Sequence, residues 1–164
     1  MNNIIVKNGL FGSIIVSALL VFVTMYMKAN PEKEVSMMIG FAVMILAFFF
    51  VAWGIKQQRD ANNGLITFGK AFMIGLWITL IISTIYVLVW LIILYNFFPN
   101  FAEHYTDMAI EKASPEEVAK VTEEMNSFKE MYKNPIWVIL FTYMEILPLG
   151  IVFSLISALI LKKK

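Results

Sequence analysis

The sequence of 164 residues contains no cysteine and a single histidine, His104. The absence of cysteine excludes disulfide bonds, thiolate catalysis and thiolate metal sites. One histidine also excludes a metal site built from several histidines of one chain. The net charge is only +1, so nothing indicates a nucleic-acid partner. We therefore expect neither nucleic-acid binding nor a cofactor.

Recognisable catalytic motifs are also absent. The chain has no Ser-His-Asp arrangement, no phosphate-binding loop, no HExxH motif and no pair of carboxylates placed for acid-base work. The eleven methionines are dispersed and are typical of packing rather than of copper binding. These absences predict that the protein is not an enzyme.

Long apolar runs are what the chain has in abundance. Hydrophobic residues make up 60% of it, against about 45–50% in soluble domains. Four runs reach the ~20 residues that cross a bilayer as a helix; they lie at about 8–27, 36–55, 71–98 and 136–161. The predicted fold class is all-α: one polytopic membrane domain over 1–164, with four transmembrane helices and an amphipathic helix in the outer segment 99–135.

The distribution of charge predicts the orientation of the spans. The inner connection carries Lys56, Arg59 and Lys70 against one acid, Asp60, whereas segment 99–135 carries eight acidic residues against four lysines. Under the positive-inside rule, both termini face the cytoplasm of a multi-pass inner-membrane protein. The three inner basic residues could attract anionic headgroups, but orientation alone accounts for them, since clusters of 4–8 are typical of lipid recognition.

Several short signals predict where helices begin and end. Asn62-Asn63-Gly64 indicates a turn, and Thr67 is a candidate N-cap for the third span. Ser114-Pro115-Glu116-Glu117 resembles a capping box, which predicts an outer helix over 115–132. Asn30-Pro31 and Asn134-Pro135 are expected to separate helices.

Small residues recur at every fourth position in three spans. Such stripes allow the backbones of neighbouring membrane helices to approach closely. They are Gly9, Ser13 and Ser17 in the first span, Ala71, Gly75, Thr79 and Ser83 in the third, and Gly150, Ser154 and Ala158 in the fourth.

Glu145 is the one charged residue well inside an apolar run. An ionised carboxylate costs roughly 2.5–3.5 kcal/mol on insertion scales. We expect hydrogen-bonding groups such as those of Ser83, Thr84 or Tyr86 within reach. Pro148 leaves the carbonyl of Met144 without its helical hydrogen bond, so these residues with Glu145 form a candidate site for a proton, cation or water. A polar link between helices is the structural alternative.

The register of the fourth span limits where Glu145 can point. At about 100° per residue, Glu145 stands roughly 140–220° away from Gly150, Ser154 and Ala158. Either the small stripe or Glu145 should therefore meet a second surface, such as another protomer or another protein. This favours an interaction role over a central transport path.

A weak candidate metal site lies in the outer segment. Glu103, Asp107 and Glu111 would share one stripe of a helix, with His104 beside them. The same residues are equally typical of a solvated acidic face, and the prediction is that no metal binds.

The inner stretch Gly64-Leu-Ile-Thr-Phe-Gly-Lys-Ala-Phe72, the opening Lys7-Asn8-Gly9 and the small-residue-rich last span carry a family resemblance. The chain resembles a Bacteroidota family of small four-helix inner-membrane proteins catalogued as a domain of unknown function. The resemblance implies a bacterial inner-membrane protein with no assigned activity. It also implies, more weakly, an accessory role in lipid-linked glycan transfer.

Three functional hypotheses follow. The leading one is a non-enzymatic accessory or scaffold subunit that associates with itself or with another membrane protein through the small stripes. The second is a small proton-coupled carrier that uses Glu145 and the bend at Pro148. The third is the accessory to lipid-linked glycan transfer. The bilayer is a partner under all three.

Overall fold

Within residues 1–30 and 37–163, which a computed structural model describes, the chain forms six α-helices. Their bounds are α1 Asn2–Ala29, α2 Met37–Asp60, α3 Phe68–Phe97, α4 Phe101–Lys112, α5 Val118–Tyr132 and α6 Pro135–Leu161. The only extended pairing among these residues is an isolated bridge between Ile66 and Lys163. The predicted all-α class is confirmed.

Helices α1, α2, α3 and α6 are long and apolar enough to cross a membrane, which confirms the four predicted spans. They contain 28, 24, 30 and 27 residues, so each exceeds the ~20 residues that a bilayer requires. The bounds differ where polar residues continue a helix beyond its apolar run. Helix α1 therefore begins at Asn2 rather than near residue 8, and α2 ends at Asp60 rather than near residue 55.

The chain divides into two compact units. The first, here the bundle unit, consists of residues Met1–Val89 and Tyr143–Lys164. Its core is dominated by isoleucine, with Ile55, Ile78, Ile82 and Ile146 all fully buried together with Phe48. Branched and aromatic side chains fill this interior, as expected for a folded core.

The second unit, here the aromatic unit, consists of residues Trp90–Thr142. Its rings form one connected set of contacts with centroids 4.5–6.2 Å apart: Trp90, Phe101, Tyr105, Phe128, Tyr132, Trp137 and Phe141. Thr106 of α4 also donates a hydrogen bond to the carbonyl of Met125 in α5, at 3.4 Å. Aromatic pairs at these separations stabilise a small unit beyond the area they bury.

The predicted turns are confirmed where the structure describes them. Asn63 and Gly64 have positive φ values of 54° and 79°, as the Asn-Asn-Gly sequence predicts. Thr67 caps α3, because its Oγ1 accepts the backbone N–H of Lys70 at 3.4 Å. Helix α6 begins at Pro135, directly after Asn134. Helix α1 ends at Ala29, directly before Asn30, and the rest of the predicted Asn30-Pro31 turn lies outside the described residues.

The outer segment departs from the prediction at two points. The expected capping box and helix start at residue 115 are wrong: Ser114 Oγ donates to the Glu117 carboxylate at 2.7 Å, and α5 begins at Val118. Residues 115–117 instead form a turn that the Ser114 carbonyl closes by accepting the Glu117 N–H. Helix α4 was not among the predicted elements, because its aromatic and acidic residues form no continuous apolar stripe.

Candidate functional site

The small-residue stripes lie inside the bundle unit, where they allow close helix approach. A Cβ added at Gly9 would lie 2.7 Å from Ile81 Cγ2, and one at Gly75 would lie 3.0 Å from Ser154 Cβ. Gly12, which is not part of the predicted stripes, is also in a close contact. A Cβ added there would lie 2.9 Å from Ile82 Cγ1. The helices therefore approach closely at these glycines, and the stripes pack against side chains of the same chain.

A hydrogen-bonded link joins α3 to α6 at the centre of these contacts. Thr79 Oγ1 lies 3.2 Å from the Gly150 carbonyl and 3.0 Å from Ser154 Oγ. Ser154 Oγ also donates to the Gly150 carbonyl at 2.8 Å. Both side chains are fully buried, so the group fixes the register of the two helices away from water.

Two other hydroxyls of the stripes, Ser17 Oγ and Ser83 Oγ, are buried and have no hydrogen-bond partner among the described residues. A buried polar group without a partner costs about 1–3 kcal/mol in water-soluble proteins. The sequence predicts Ser83 near Glu145. Glu145 borders a groove, described below, and Ser83 is not among the residues that line it.

We expect Ser83→Ala to raise the free energy of unfolding by about 1 kcal/mol, because it removes an unpaired hydroxyl with little change of volume. Reversible unfolding by dodecyl sulfate in mixed micelles would measure it. Ser154→Ala is the matched control, since it removes a bonded hydroxyl and should lower stability. Loss of stability in both variants would show that Ser83 has a partner.

Glu145 borders a groove of about 80 Å³ in the bundle unit. Residues of all four spans line it: Val16, Leu19, Leu20, Val23, Gly40, Val43, Met44, Tyr86 and Glu145. Among these nine residues only Tyr86 and Glu145 have polar side chains. The side chain of Glu145 is exposed, and within the described residues its carboxyl makes no hydrogen bond and no ion pair. The groove is therefore an apolar recess with one acid at its edge.

The other members of the candidate polar site lie elsewhere. Met144 is 71% exposed, and neither it nor Pro148 lines the groove. Thr84, a second expected neighbour of Glu145, is hydrogen-bonded to Tyr143 Oη at 2.8 Å. Of the three neighbours expected from the sequence, Tyr86 alone shares the groove.

The burial of the α6 residues shows which part of this helix packs within the chain. Gly150, Ser154 and Ala158 are buried, and Gly150 contacts both Thr79 and Phe48. Glu145 points into the groove and is exposed there. The small-residue stripe of α6 is therefore buried within its own chain, whereas Glu145 is exposed and available to a second surface.

The candidate metal ligands do not form a metal site. No group of three or more histidine, aspartate or glutamate side chains is arranged to hold an ion in the part of the chain that the structure describes. Glu103 instead pairs with Lys129 of α5 at 3.3 Å, and His104, Asp107 and Glu111 are exposed on α4. The stripe is a solvent-exposed face: apart from the Glu103–Lys129 pair, α4 contacts α5 through residues that include Phe101, Tyr105 and Thr106.

The sequence did not predict a cavity in the aromatic unit. It also did not predict a contact at segment 56–70, which joins α2 to α3 and is here called the basic loop. The cavity, of about 220 Å³, is bordered by Tyr95, Glu103, Lys129, Tyr132 and Lys133 among others. At the basic loop, Lys56 and Arg59 both contact Asp60, and Ile66 is bridged to Lys163. Helical periodicity gives no signal for either, since both depend on segments that are distant in sequence.

The four apolar helices and their short connections agree with one comparison with known proteins. The family model described as Protein of unknown function (DUF4199) matches residues 7–163. The chain belongs to this family. Because the match takes in all four spans, both the Glu145 groove and the basic loop are parts of a DUF4199 domain. No curated protein and no solved structure matches the chain. The expected domain of unknown function is confirmed, and the bacterial group stays a prediction.

Proposed function

We propose that this DUF4199 protein is a non-enzymatic accessory subunit that binds a transmembrane helix of another inner-membrane protein through the groove at Glu145. The partner helix carries a basic side chain within its apolar run, and this side chain pairs with the Glu145 carboxylate. The observation that carries the proposal is an exposed acid with no hydrogen bond or ion pair among the described residues, at the edge of a groove whose one other polar side chain is that of Tyr86.

Charge complementarity argues for a basic partner. An isolated carboxylate at this level of a bilayer costs roughly 2.5–3.5 kcal/mol, and no lysine or arginine lies in the apolar interior of the four spans. A second copy of this chain could not supply the cation for the same reason. A lysine or arginine from a different protein would offset the cost and fix which helix occupies the groove.

The small stripes give less support to association between chains than the groove does. Gly9, Gly75 and Gly150 already face residues of their own chain at close range. The proposed interaction surface is therefore the groove at Glu145 rather than the stripes that the sequence suggested.

A proton-coupled carrier that uses Glu145 and Pro148 is the second hypothesis. Transport from the groove would need a polar route through the bundle unit. The core of this unit contains Ile82, Ile146 and Phe48, all fully buried and apolar, and its buried Thr79 and Ser154 are already hydrogen-bonded to the Gly150 carbonyl. This filling favours the subunit over the carrier. The family resemblance favours an enzyme of lipid-linked glycan transfer as the partner.

The proposed setting is the inner membrane of a bacterium, with both termini in the cytoplasm. Lys56, Arg59 and Lys70 support this orientation, because they lie at the ends of α2 and α3 that the Asn-Asn-Gly turn connects.

We expect Glu145→Gln to lower retention of the partner about tenfold after mild solubilisation, which corresponds to about 1.4 kcal/mol. The matched control is Met144→Gln, which alters a neighbouring residue that does not line the groove and should retain the partner. Quantitative mass spectrometry of the purified complexes would measure both.

Support requires that the retained protein have a basic residue inside an apolar span, and that its replacement by glutamine give the same loss. Equal retention by both variants would contradict the proposal. A flux driven by a pH gradient in proteoliposomes that Glu145→Gln abolishes would establish the carrier instead.

A further inference from the structure

The end of the chain is docked on the loop between α2 and α3. Ile66 N–H donates to the Lys163 carbonyl at 2.8 Å, and Lys163 N–H donates to the Ile66 carbonyl at 2.9 Å. Ile66 is itself 3% exposed and belongs to the core. The two residues lie far apart in sequence, so this pairing places Lys162 and Lys163 beside the loop between α2 and α3.

The docking collects basic residues that are separate in the sequence. Here the basic end denotes Lys56, Arg59, Lys70, Lys162 and Lys163, all in the bundle unit. Asp60 is the acid among them, and it already contacts Lys56 at 3.0 Å and Arg59 at 3.3 Å. One acid cannot neutralise five basic residues, so the basic end keeps a net positive charge. A bound anion would offset the repulsion between these like charges.

We propose that the basic end is a binding site for anionic phospholipid headgroups. Its five basic residues fall within the clusters of 4–8 that recognise such lipids, whereas the loop alone falls short. Orientation by the positive-inside rule explains each charge separately, but it does not require the tail to be docked on the loop.

Neighbouring apolar and aromatic residues fit an interfacial site. Trp53 and Leu65 are 43% and 45% exposed, and the Lys56 ammonium lies 5.4 Å from the centre of the Trp53 ring. Phe68, at the start of α3, is also exposed and stacks on Phe72. Aromatic rings of this kind lie at the headgroup level of membranes, so acyl chains and phosphates would both find contacts here.

The test compares lipid binding by the full-length protein in detergent micelles. The probes are dioleoylphosphatidylglycerol and dioleoylphosphatidylcholine, and bound lipids are counted by native mass spectrometry. We expect about tenfold tighter binding of phosphatidylglycerol. The double variant Lys162→Gln/Lys163→Gln should weaken that binding at least fivefold, because each cation near a surface contributes roughly fivefold.

The matched control removes the same charge elsewhere. Lys120→Gln/Lys133→Gln alters two exposed lysines of the aromatic unit, paired with Glu124 and Glu130, and should leave phosphatidylglycerol binding within twofold of wild type. The backbone pairing of Ile66 does not depend on the lysine side chains, and an unchanged dodecyl sulfate midpoint would verify the fold.

Equal binding of the two lipids, or equal weakening in both double variants, would overturn the proposal. Displacement of phosphatidylglycerol by millimolar inorganic phosphate would also overturn it, because the site would then serve a soluble phosphate.

Discussion

Gly150→Ala should destabilise the protein by about 1–3 kcal/mol, the usual cost of forcing an added methyl group into a packed interior. The added Cβ would lie 2.6 Å from Phe48 Cε1 and would also meet the methyl group of Thr79. Neither neighbour can withdraw easily, because both are fully buried. Reversible unfolding by dodecyl sulfate in mixed micelles would measure the loss.

Two companion variants make this result specific. Gly69→Ala adds a methyl group where nothing lies within 4 Å and should be neutral or stabilising, since alanine favours the helix. Thr79→Ser removes the opposing methyl group while it keeps the hydroxyl bonded to Gly150 and Ser154, so it should recover part of the loss in the double variant. A loss in Gly69→Ala equal to that in Gly150→Ala would contradict close packing at Gly150.

Phe48→Ala should lower the free energy of unfolding by about 2–4 kcal/mol, a range at and below that of buried phenylalanines in soluble proteins. Phe48 is fully buried and stacks on Phe153 with ring centroids 5.9 Å apart. Within a bilayer the loss comes from packing more than from transfer out of water, since lipid is as apolar as the core. The same unfolding measurement applies.

The adjacent Phe49 provides the control for this prediction. It is 57% exposed, and Phe49→Ala should change stability by less than about 1 kcal/mol because lipid can replace the lost contacts. Similar losses in the two variants would show that Phe48 is not at the centre of the packing.

Composition and periodicity were sufficient for the architecture. The four spans were predictable because each apolar run is long enough for a bilayer. Thr67, Gly64 and Pro135 marked helix ends through local backbone chemistry that does not depend on the rest of the fold. The predicted N-cap at Ser114 was wrong. Its hydroxyl can bond either a backbone amide or the Glu117 side chain, and the sequence does not show which of the two partners it takes.

The surroundings of Glu145 were only half predictable. Helix register predicts that the acid lies opposite Gly150, but it does not say which of the two faces is buried. That outcome depends on how α1 and α2 approach α6, through contacts such as Gly150 with Phe48. The pairing of Ile66 with Lys163 was beyond sequence reasoning, because a single pair of backbone hydrogen bonds has no side-chain pattern.

Photo-crosslinking in living cells would test the central claim, that the Glu145 groove holds a helix of another membrane protein. A photoreactive residue at Leu19, which lines the groove, is compared with one at Phe22, which is 65% exposed on the same helix and does not line it. From position 19 we predict one protein adduct, lost in Glu145→Gln, whose crosslinked span contains a lysine or arginine. Identical adducts from both positions, or an adduct with a second copy of this chain, would contradict the account.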